Sequence, residues 1–253
     1  MAGHEPSPLS RRDDPVTADR LSSTLEAAVR RLRSTRDLGE TLTATVAGAV
    51  DAVTNAERAG ITQVDSKGVI TTQAPTDEQV GAIDRVQSEF AEGPCLDALA
   101  REDSVYIADL AGESARWPAF APRALELGAV SMLSFRLSSD SSPVTALNLY
   151  ASTPSAFHAE DRLWGEVFAS HAAIALAHAT NNAGLSTALR SRDLIGQAKG
   201  ILMERFDITD HEAFTMLVES SQRTNLKLRE VAHWLAGHGP QRSSGGRQSG
   251  HWQ

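Results

Sequence analysis

The sequence predicts an α+β domain with a mostly antiparallel sheet, followed by a small bundle of three short helices. Three observations carry this. Nine of the ten prolines lie at or before Pro154 and the tenth is Pro240, so the 85 residues between them can be almost wholly helical. Before Pro154 the apolar period changes from that of a helix to that of a strand in several short runs bounded by turn residues. From Ser191 to Gly237 three helical patterns follow one another through two short turns that carry capping residues.

The elements follow in order. Leu21, Leu25, Ala28, Val29 and Leu32 recur at helical spacing, which predicts an amphipathic helix over residues 17–36. Leu42, Val46, Ala49, Val50 and Val53 predict a second. AGITQVDSKGVITTQA then places β-branched residues on both sides of Asp65-Ser66-Lys67-Gly68, the pattern of a hairpin. DEQVGAIDRVQSEFA returns to the helical period. SVYIADL, VSMLSFRL and VTALNLYAS are short strand patterns, the last two joined by the polar turn from Ser138 to Pro143. After Pro154 a long helix carries an expected apolar stripe of Leu163, Val167, Phe168, Ile174 and Ala175. Strands in hairpins with flanking helices give the α+β class.

The C-terminal unit is expected to bury Leu194, Ile195, Ala198, Ile201, Leu202 and Phe206 from its first helix. Gly196 and Gly200 lie inside that helix, at roughly 1 kcal/mol each against alanine, so close approach of a partner helix or of a bulky polar ligand is expected there. Thr209 to Glu212 reads as a capping box. Ala213, Phe214, Leu217, Val218 and Ser221 are the expected inward residues of the second helix. Asn225 is expected to cap a third, with Leu228, Val231, Ala232 and Leu235 inward and Gly237 as its stop.

Composition bounds the rest. A chain of 253 residues with 41% hydrophobic and 22% charged residues can bury one large core or two ordinary ones. The first residues hold no apolar stretch of a secretory signal, and no run approaches 18 apolar residues, so no signal and no membrane span are expected. The lone Cys95 cannot form an intrachain disulfide, which suits the cytoplasm. Net charge is −8, unevenly spread: from Leu185 onward 9 basic residues face 7 acidic ones, a net of +2, leaving −10 on the preceding 184 residues. The two ends are Pro-, Gly- and Ser-rich and are expected to be disordered. The expected organisation is therefore a tail at 1–16, an α+β domain at 17–183, a helical unit at 184–237 and a tail at 238–253.

Outside the expected cores the bundle carries cations. Arg192 and Lys199 are seven apart on one helix, and Arg223, Thr224, Lys227 and Arg229 crowd the turn into the third. Lysine and arginine there suit phosphates, and Thr224 and Asn225 suit bases or backbone. Bases splayed from an RNA loop fit such a mixed polar surface; a solvated face that keeps the bundle soluble is the plainer reading. A DNA-binding three-helix unit is the alternative, against which no helix shows the strongly basic outer face of a major-groove reader. From another class, Cys95 is a candidate nucleophile or redox thiol of an enzyme. A nucleophile needs a base, and only His158 and His171 offer one. A small buried hydrophobe at a helix start accounts for Cys95 more simply. No His/Cys/Asp/Glu set has a metal-ligand spacing.

Two family resemblances sharpen this. AGITQV, EGPCLDAL at 92–99, ADL at 108–110, RWPAF at 116–120, ALNLYAS at 146–152 and the closing helix together resemble a GAF domain over residues 37–180. That resemblance implies a sensory fold that often takes a small ligand beside its sheet and often dimerises through terminal helices. No ligand is named by these residues. No chromophore or haem attachment set is present, so no cofactor is assigned, and a three-cysteine redox enzyme is excluded by the lone Cys95.

RDLIGQAKGILMERF, TDHEAFTML and TNLKLREVA resemble an ANTAR domain over residues 185–237. The resemblance rests on Gln197 to Met203, on Glu212-Ala213-Phe214, and on Asn225 with Lys227-Leu228 and Val231-Ala232. It implies binding of RNA hairpins in nascent transcripts and antitermination of transcription, in the architecture of the actinobacterial GAF–ANTAR regulators. It adds Gln197, Gly200 and Met203 to the expected RNA contacts Arg192, Lys199, Arg223, Thr224, Asn225, Lys227 and Arg229. One departure is that Val218 and Glu219 stand where family members often carry basic residues. The expected protein is a cytoplasmic, non-enzymatic homodimer. Its two domains are linked by a helix soft at Asn181 to Gly184, with a heptad too short and irregular to establish a coiled coil.

Overall fold

The computed structural model describes residues 15–65, 67–94, 96–97, 104–138 and 144–237. The tail segments 1–14 and 238–253, Cys95, and most of the turn before Val144 lie outside the described residues. The chain divides into two compact units after Asn182.

The first unit opens with α1 (Pro15–Arg33) and α2 (Leu38–Ala52). The first helix begins at Pro15, inside the stretch expected as a tail, because proline suits the first helical position, where its missing N–H costs nothing. It stops short of residue 36: the hydroxyl of Thr35 and the backbone N–H of Ser34 both turn back onto the last carbonyls. The second helix is capped by Asp37, whose carboxylate accepts from the Glu40 N–H at 2.8 Å, while Glu40 accepts from the Arg36 N–H at 2.8 Å.

The strands β1 (Arg58–Val64) and β2 (Ile70–Gln73) form the expected hairpin, pairing Val64 with Ile70. Its turn is held by the Asp65 carboxylate, which accepts from the N–H groups of Lys67 and Val69, and Gly68 takes the left-handed conformation there. Next come α3 (Glu78–Phe90), β3 (Val105–Ile107), a short 3₁₀ turn (Leu110–Glu113), α4 (Phe120–Glu126), β4 (Ser131–Arg136) and β5 (Val144–Ala151). The sheet order is β2-β1-β5-β4-β3, and every pairing is antiparallel.

Side chains alternate across this sheet. Ile61, Leu133, Phe135, Leu147 and Leu149 point to one face, where they meet Ala28, Leu32, Val46 and Ala49 of α1 and α2. The same core takes Phe168, Ala172 and Leu176 of α5 (Ala159–Phe206). Met132 and Tyr150 point the other way, against Val80, Ile83, Leu110, Trp117 and Phe120. The stripe expected on α5 is therefore corrected. Leu163 and Ile174 are 58% and 72% exposed. Phe168 of the expected stripe is buried, and the other buried positions are Asp161, Gly165, Ala169, Ala172 and Leu176.

Helix α5 is continuous through Asn181 to Gly184, and all ten residues from Asn181 to Arg190 are exposed. The expected soft point is thus helical.

The second unit holds the end of α5, α6 (Asp210–Thr224) and α7 (Leu228–Gly237). Ala198, Leu202, Ala213, Leu217 and Ala232 form its core, with Leu194, Ile195, Met203, Leu228, Val231 and Leu235 packed against them. Two expected core aromatics, Phe206 and Phe214, are instead exposed. Phe206 is the last helical residue, followed by left-handed Asp207, so the chain turns before its ring can enter the core.

Candidate nucleic-acid interface

The turns of the second unit fix where its polar side chains stand. Thr209 caps α6 in a reciprocal box: its hydroxyl accepts from the Glu212 N–H, and Glu212 accepts from the Thr209 N–H at 2.8 Å. These bonds hold the Glu212 carboxyl below the usual range. Asn225 does not cap the third helix. It takes the left-handed conformation that ends α6, a role asparagine fills because its short amide tolerates positive φ. Lys227 stands before α7 instead: its carbonyl accepts from the Glu230 and Val231 N–H groups, and its N–H donates to the Glu230 carboxylate at 3.2 Å. The Ser221 hydroxyl closes the turn by donating to the Leu226 carbonyl at 2.6 Å.

The eight residues from Gln222 to Arg229, which span the end of α6, this turn and the start of α7, contain three cations and no acid. Arg223, Thr224, Asn225, Lys227 and Arg229 are all exposed, as are Arg192, Gln197 and Gly200 on α5. The Thr224 hydroxyl donates back to the Ser220 carbonyl of its own helix.

Two expected contact residues are otherwise engaged. Lys199 is only 23% exposed in its side chain, and its ammonium lies 2.5 Å from the Asp210 carboxylate. Met203 is half-buried against the bundle core. Around Gly196 and Gly200 an added methyl would meet nothing within 4 Å, so close packing inside this unit does not explain either glycine. Trp234, which the sequence reading passed over, is 61% exposed on α7. Its spacing of seven from Lys227 is the signal that would have found it.

The first unit carries a different arrangement. On the α3 side of the sheet a polar chain crosses the core. The Ser134 hydroxyl donates to Asn148, Asn148 donates to the Thr62 hydroxyl, and Thr62 donates to the Asp84 carboxylate at 2.8 Å. Thr72 and Gln87 also donate to Asp84, at 2.7 and 3.1 Å. Burial pushes the Asp84 carboxyl up, against these three hydrogen bonds. An open cleft of about 800 Å³ between β2 and α3 is lined by Thr72, Pro75, Asp84 and Arg85 among others. Nearby, the Glu92 carboxylate accepts from the N–H groups of Ala119 and Phe120, pinning the segment after α3 to the start of α4. Among the described residues no group of three or more His, Cys, Asp or Glu is placed to hold a metal, and no helix is long and apolar enough to cross a membrane.

A five-stranded antiparallel sheet with helices on both faces, followed by a second helical unit, defines a two-part α+β protein. The chain belongs to the GAF domain family, whose model matches residues 35–177, and it carries an ANTAR domain at residues 183–235. No curated protein matches it. Among solved structures it is similar to the GAF domain of a phosphoenolpyruvate-protein phosphotransferase from Coxiella burnetii. There the identity is 19% and the TM-score 0.49, over 66% of this chain and 98% of that one. It is also similar to the phytochrome photosensory core module of Stigmatella aurantiaca, at 16% identity and a TM-score of 0.58, over 87% of this chain and 47% of that one. A third is the free methionine-R-sulfoxide reductase of Neisseria meningitidis in complex with its substrate, at 15% identity and a TM-score of 0.48, over 68% and 96%. At these identities the likeness is one of fold.

Proposed function

We propose that this chain is an RNA-binding regulator of transcription. Its C-terminal unit holds a hairpin in a nascent transcript and prevents a terminator from forming. Its GAF domain governs that step in response to a small ligand. The observation that carries the reading is the acid-free stretch from Gln222 to Arg229, which spans the end of α6, the turn and the start of α7 with its three cations exposed, within a unit matched by the ANTAR model. Lysine and arginine on so short a stretch meet phosphates, and the neighbouring Asn225 and Thr224 offer hydrogen bonds to what the phosphates bring with them. Exposed Gly196 and Gly200 leave room for close approach on α5.

The regulator acts in the cytoplasm, without catalysis and as a homodimer. Pairing is supported by α5. From Val167 to Leu189 it holds no Asp, Glu, Lys or Arg in 23 residues, yet exposes Ile174 in the first unit and Leu185 and Leu189 in the second. A solvated helix face normally carries charge. A second copy of the same uncharged face covers those residues without bringing two acidic surfaces together.

The test is to sequence the RNA that co-purifies with the full chain and to measure its affinity for the recovered hairpins against DNA duplex. Enrichment of hairpins that overlap terminators is the expected result. Tighter binding to DNA duplex overturns the reading in favour of a DNA-binding unit.

A further inference from the structure

Val167, His171, Ile174, His178 and Asn181, all on the part of α5 that lies in the first unit, follow one another at spacings of four, three, four and three. That alternation keeps one side of a helix in line and is the repeat by which two helices pair. The line runs on the side away from the buried Phe168, Ala172 and Leu176, and from His171 onward every member is exposed. Three of the five are polar, which is why the stripe does not read as a run of apolar heptads. None of them is an acid, a lysine or an arginine, and the 23 residues from Val167 to Leu189 contain no Asp, Glu, Lys or Arg at all. What they contain instead is histidine, the side chain whose charge changes between about pH 5 and 8.

Both imidazoles are oriented by their own helix. His171 Nδ1 lies 2.9 Å from the Val167 carbonyl, which can only accept, so Nδ1–H donates to it and Nε2 is the atom that takes up a second proton. His178 Nδ1 lies 3.4 Å from the side-chain amide nitrogen of Asn182. Among the described residues, the helices packed against α5 carry Glu26, Arg30, Arg31 and Arg33 on α1 and Glu40 and Asp51 on α2. No ion pair joins any of these to an imidazole, and Asp51 is engaged with Arg31. Arg136 of β4 donates to the Ser138 carbonyl, and Glu166 of α5 itself accepts from the Ser104 hydroxyl. We propose that two copies of this chain meet along this seam in parallel, His171 against His171 and His178 against His178, so that acid opens the dimer. This rests on the homodimer reading above and adds to it the register and the response to pH. In a parallel pair equivalent seam positions face each other, and a polar position such as Asn181 fixes the register. Neutral imidazoles fit that contact. Protonated ones set two like charges face to face in a seam that holds no acid. The rings are then harder to protonate in the pair than in the separate chains, so association is complete at the alkaline end of the imidazole range and is lost as pH falls through it.

The experiment is sedimentation equilibrium of the full chain at about pH 8 and about pH 5.5, the two ends of the imidazole range. The dimer is expected to weaken about tenfold or more on acidification, since one unit of pKa on one ring is tenfold. The double variant His171→Gln, His178→Gln keeps the polar bulk without the charge, so its two dimer constants should agree within about threefold. The register is read by cross-linking in a Cys95→Ser background. Val167→Cys and Asn181→Cys should each join to its own copy on mild oxidation, and a mixture of the two should give no 167–181 product. A 167–181 product means antiparallel faces and overturns the proposal. A parent dimer indifferent to pH, or a loss on acidification as large in the double variant as in the parent, overturns it too and leaves the dimer standing. A parent chain that is monomeric at about pH 8 removes the homodimer reading itself, and this proposal with it.

Discussion

Lys199 and Asp210 form an ion pair at 2.5 Å that ties the last turns of α5 to the first turn of α6. The pair sits at the negative-seeking end of α6, where a carboxylate is favoured by the helix dipole, and it shields Lys199 more than its partner. The lysine that the sequence offers as a phosphate contact is therefore also a brace within the bundle.

Removing that brace and removing a simple phosphate contact should look different. A double-mutant cycle with Lys199→Ala and Asp210→Asn should return about 0.2–1 kcal/mol of coupling in chemical denaturation, the range of exposed ion pairs. Lys227→Ala should leave stability within about 0.5 kcal/mol and lower the log–log salt slope of RNA binding by about 0.7–0.9. An unchanged slope in Lys227→Ala removes that residue from the phosphate contacts.

Two sets of glycines make opposite predictions. A methyl at Gly48 would lie 2.8 Å from the Phe168 ring, so Gly48→Ala should cost about 1–3 kcal/mol by overpacking the contact between α2 and α5. Gly200→Ala meets open space and should stabilise the second unit by up to about 1 kcal/mol. If RNA approaches the backbone there, the same change weakens hairpin binding while raising the melting temperature. Parental affinity in Gly200→Ala would show that the glycine serves no contact.

Asp84 makes stability depend on pH in a direction opposite to that of most carboxylates. Burial raises its value in the folded state above the ordinary value of 3.8. Its charge is then harder to form in the folded chain than in the unfolded one. The contribution is intact below the ordinary value and is lost as pH rises through the raised one. Thermal melts of the parent and of Asp84→Asn should diverge on acidification, with the parent gaining relative to the variant. Parallel pH profiles would mean that the carboxyl is not held in this way.

Gly184→Pro tests the long helix. Residues 181–184 are helical, so proline there should cost about 3 kcal/mol or more locally by removing a donor and clashing with the preceding turn. The bundle core begins at Leu194 and should still fold. Dimerisation and hairpin affinity are expected to fall together, read by sedimentation and anisotropy beside the fragment 185–253. Equal RNA affinity of fragment, variant and parent would mean that the GAF domain neither pairs nor gates the bundle.

The elements of the fold were legible where one local signal dominates. The hairpin at Asp65 to Gly68, the capping box at Thr209 and the proline-free helical span needed only neighbours in sequence. The misreadings come from signals with two meanings. Asparagine suits both a helix start and a left-handed stop, and Asn225 takes the second. Leu163 and Ile174 outrank Gly165 and Ala172 in size, yet the smaller pair faces inward, and at Gly165 an added methyl would run into the Phe135 ring of β4. The chain of Ser134, Asn148, Thr62 and Asp84 joins residues from three strands and a helix, and no spacing in sequence announces it. Lys199 read as free because its partner stands eleven residues away, across a turn.

The order of the strands carries a consequence for how the chain is made. The middle strand of the sheet is β5, whose pairing with β1 sets Arg58 opposite Tyr150. Arg58 and Tyr150 are 92 positions apart, so the centre of the sheet is missing until the distant strand has been synthesised. Domains fold as units during synthesis, N-terminal ones first, and long-range strand pairing is slow. Until β5 emerges, β1 has only the four-residue β2 beside it and leaves its other edge open. The second unit follows later still, so a ribosome has made most of the GAF domain before any of the helical unit exists.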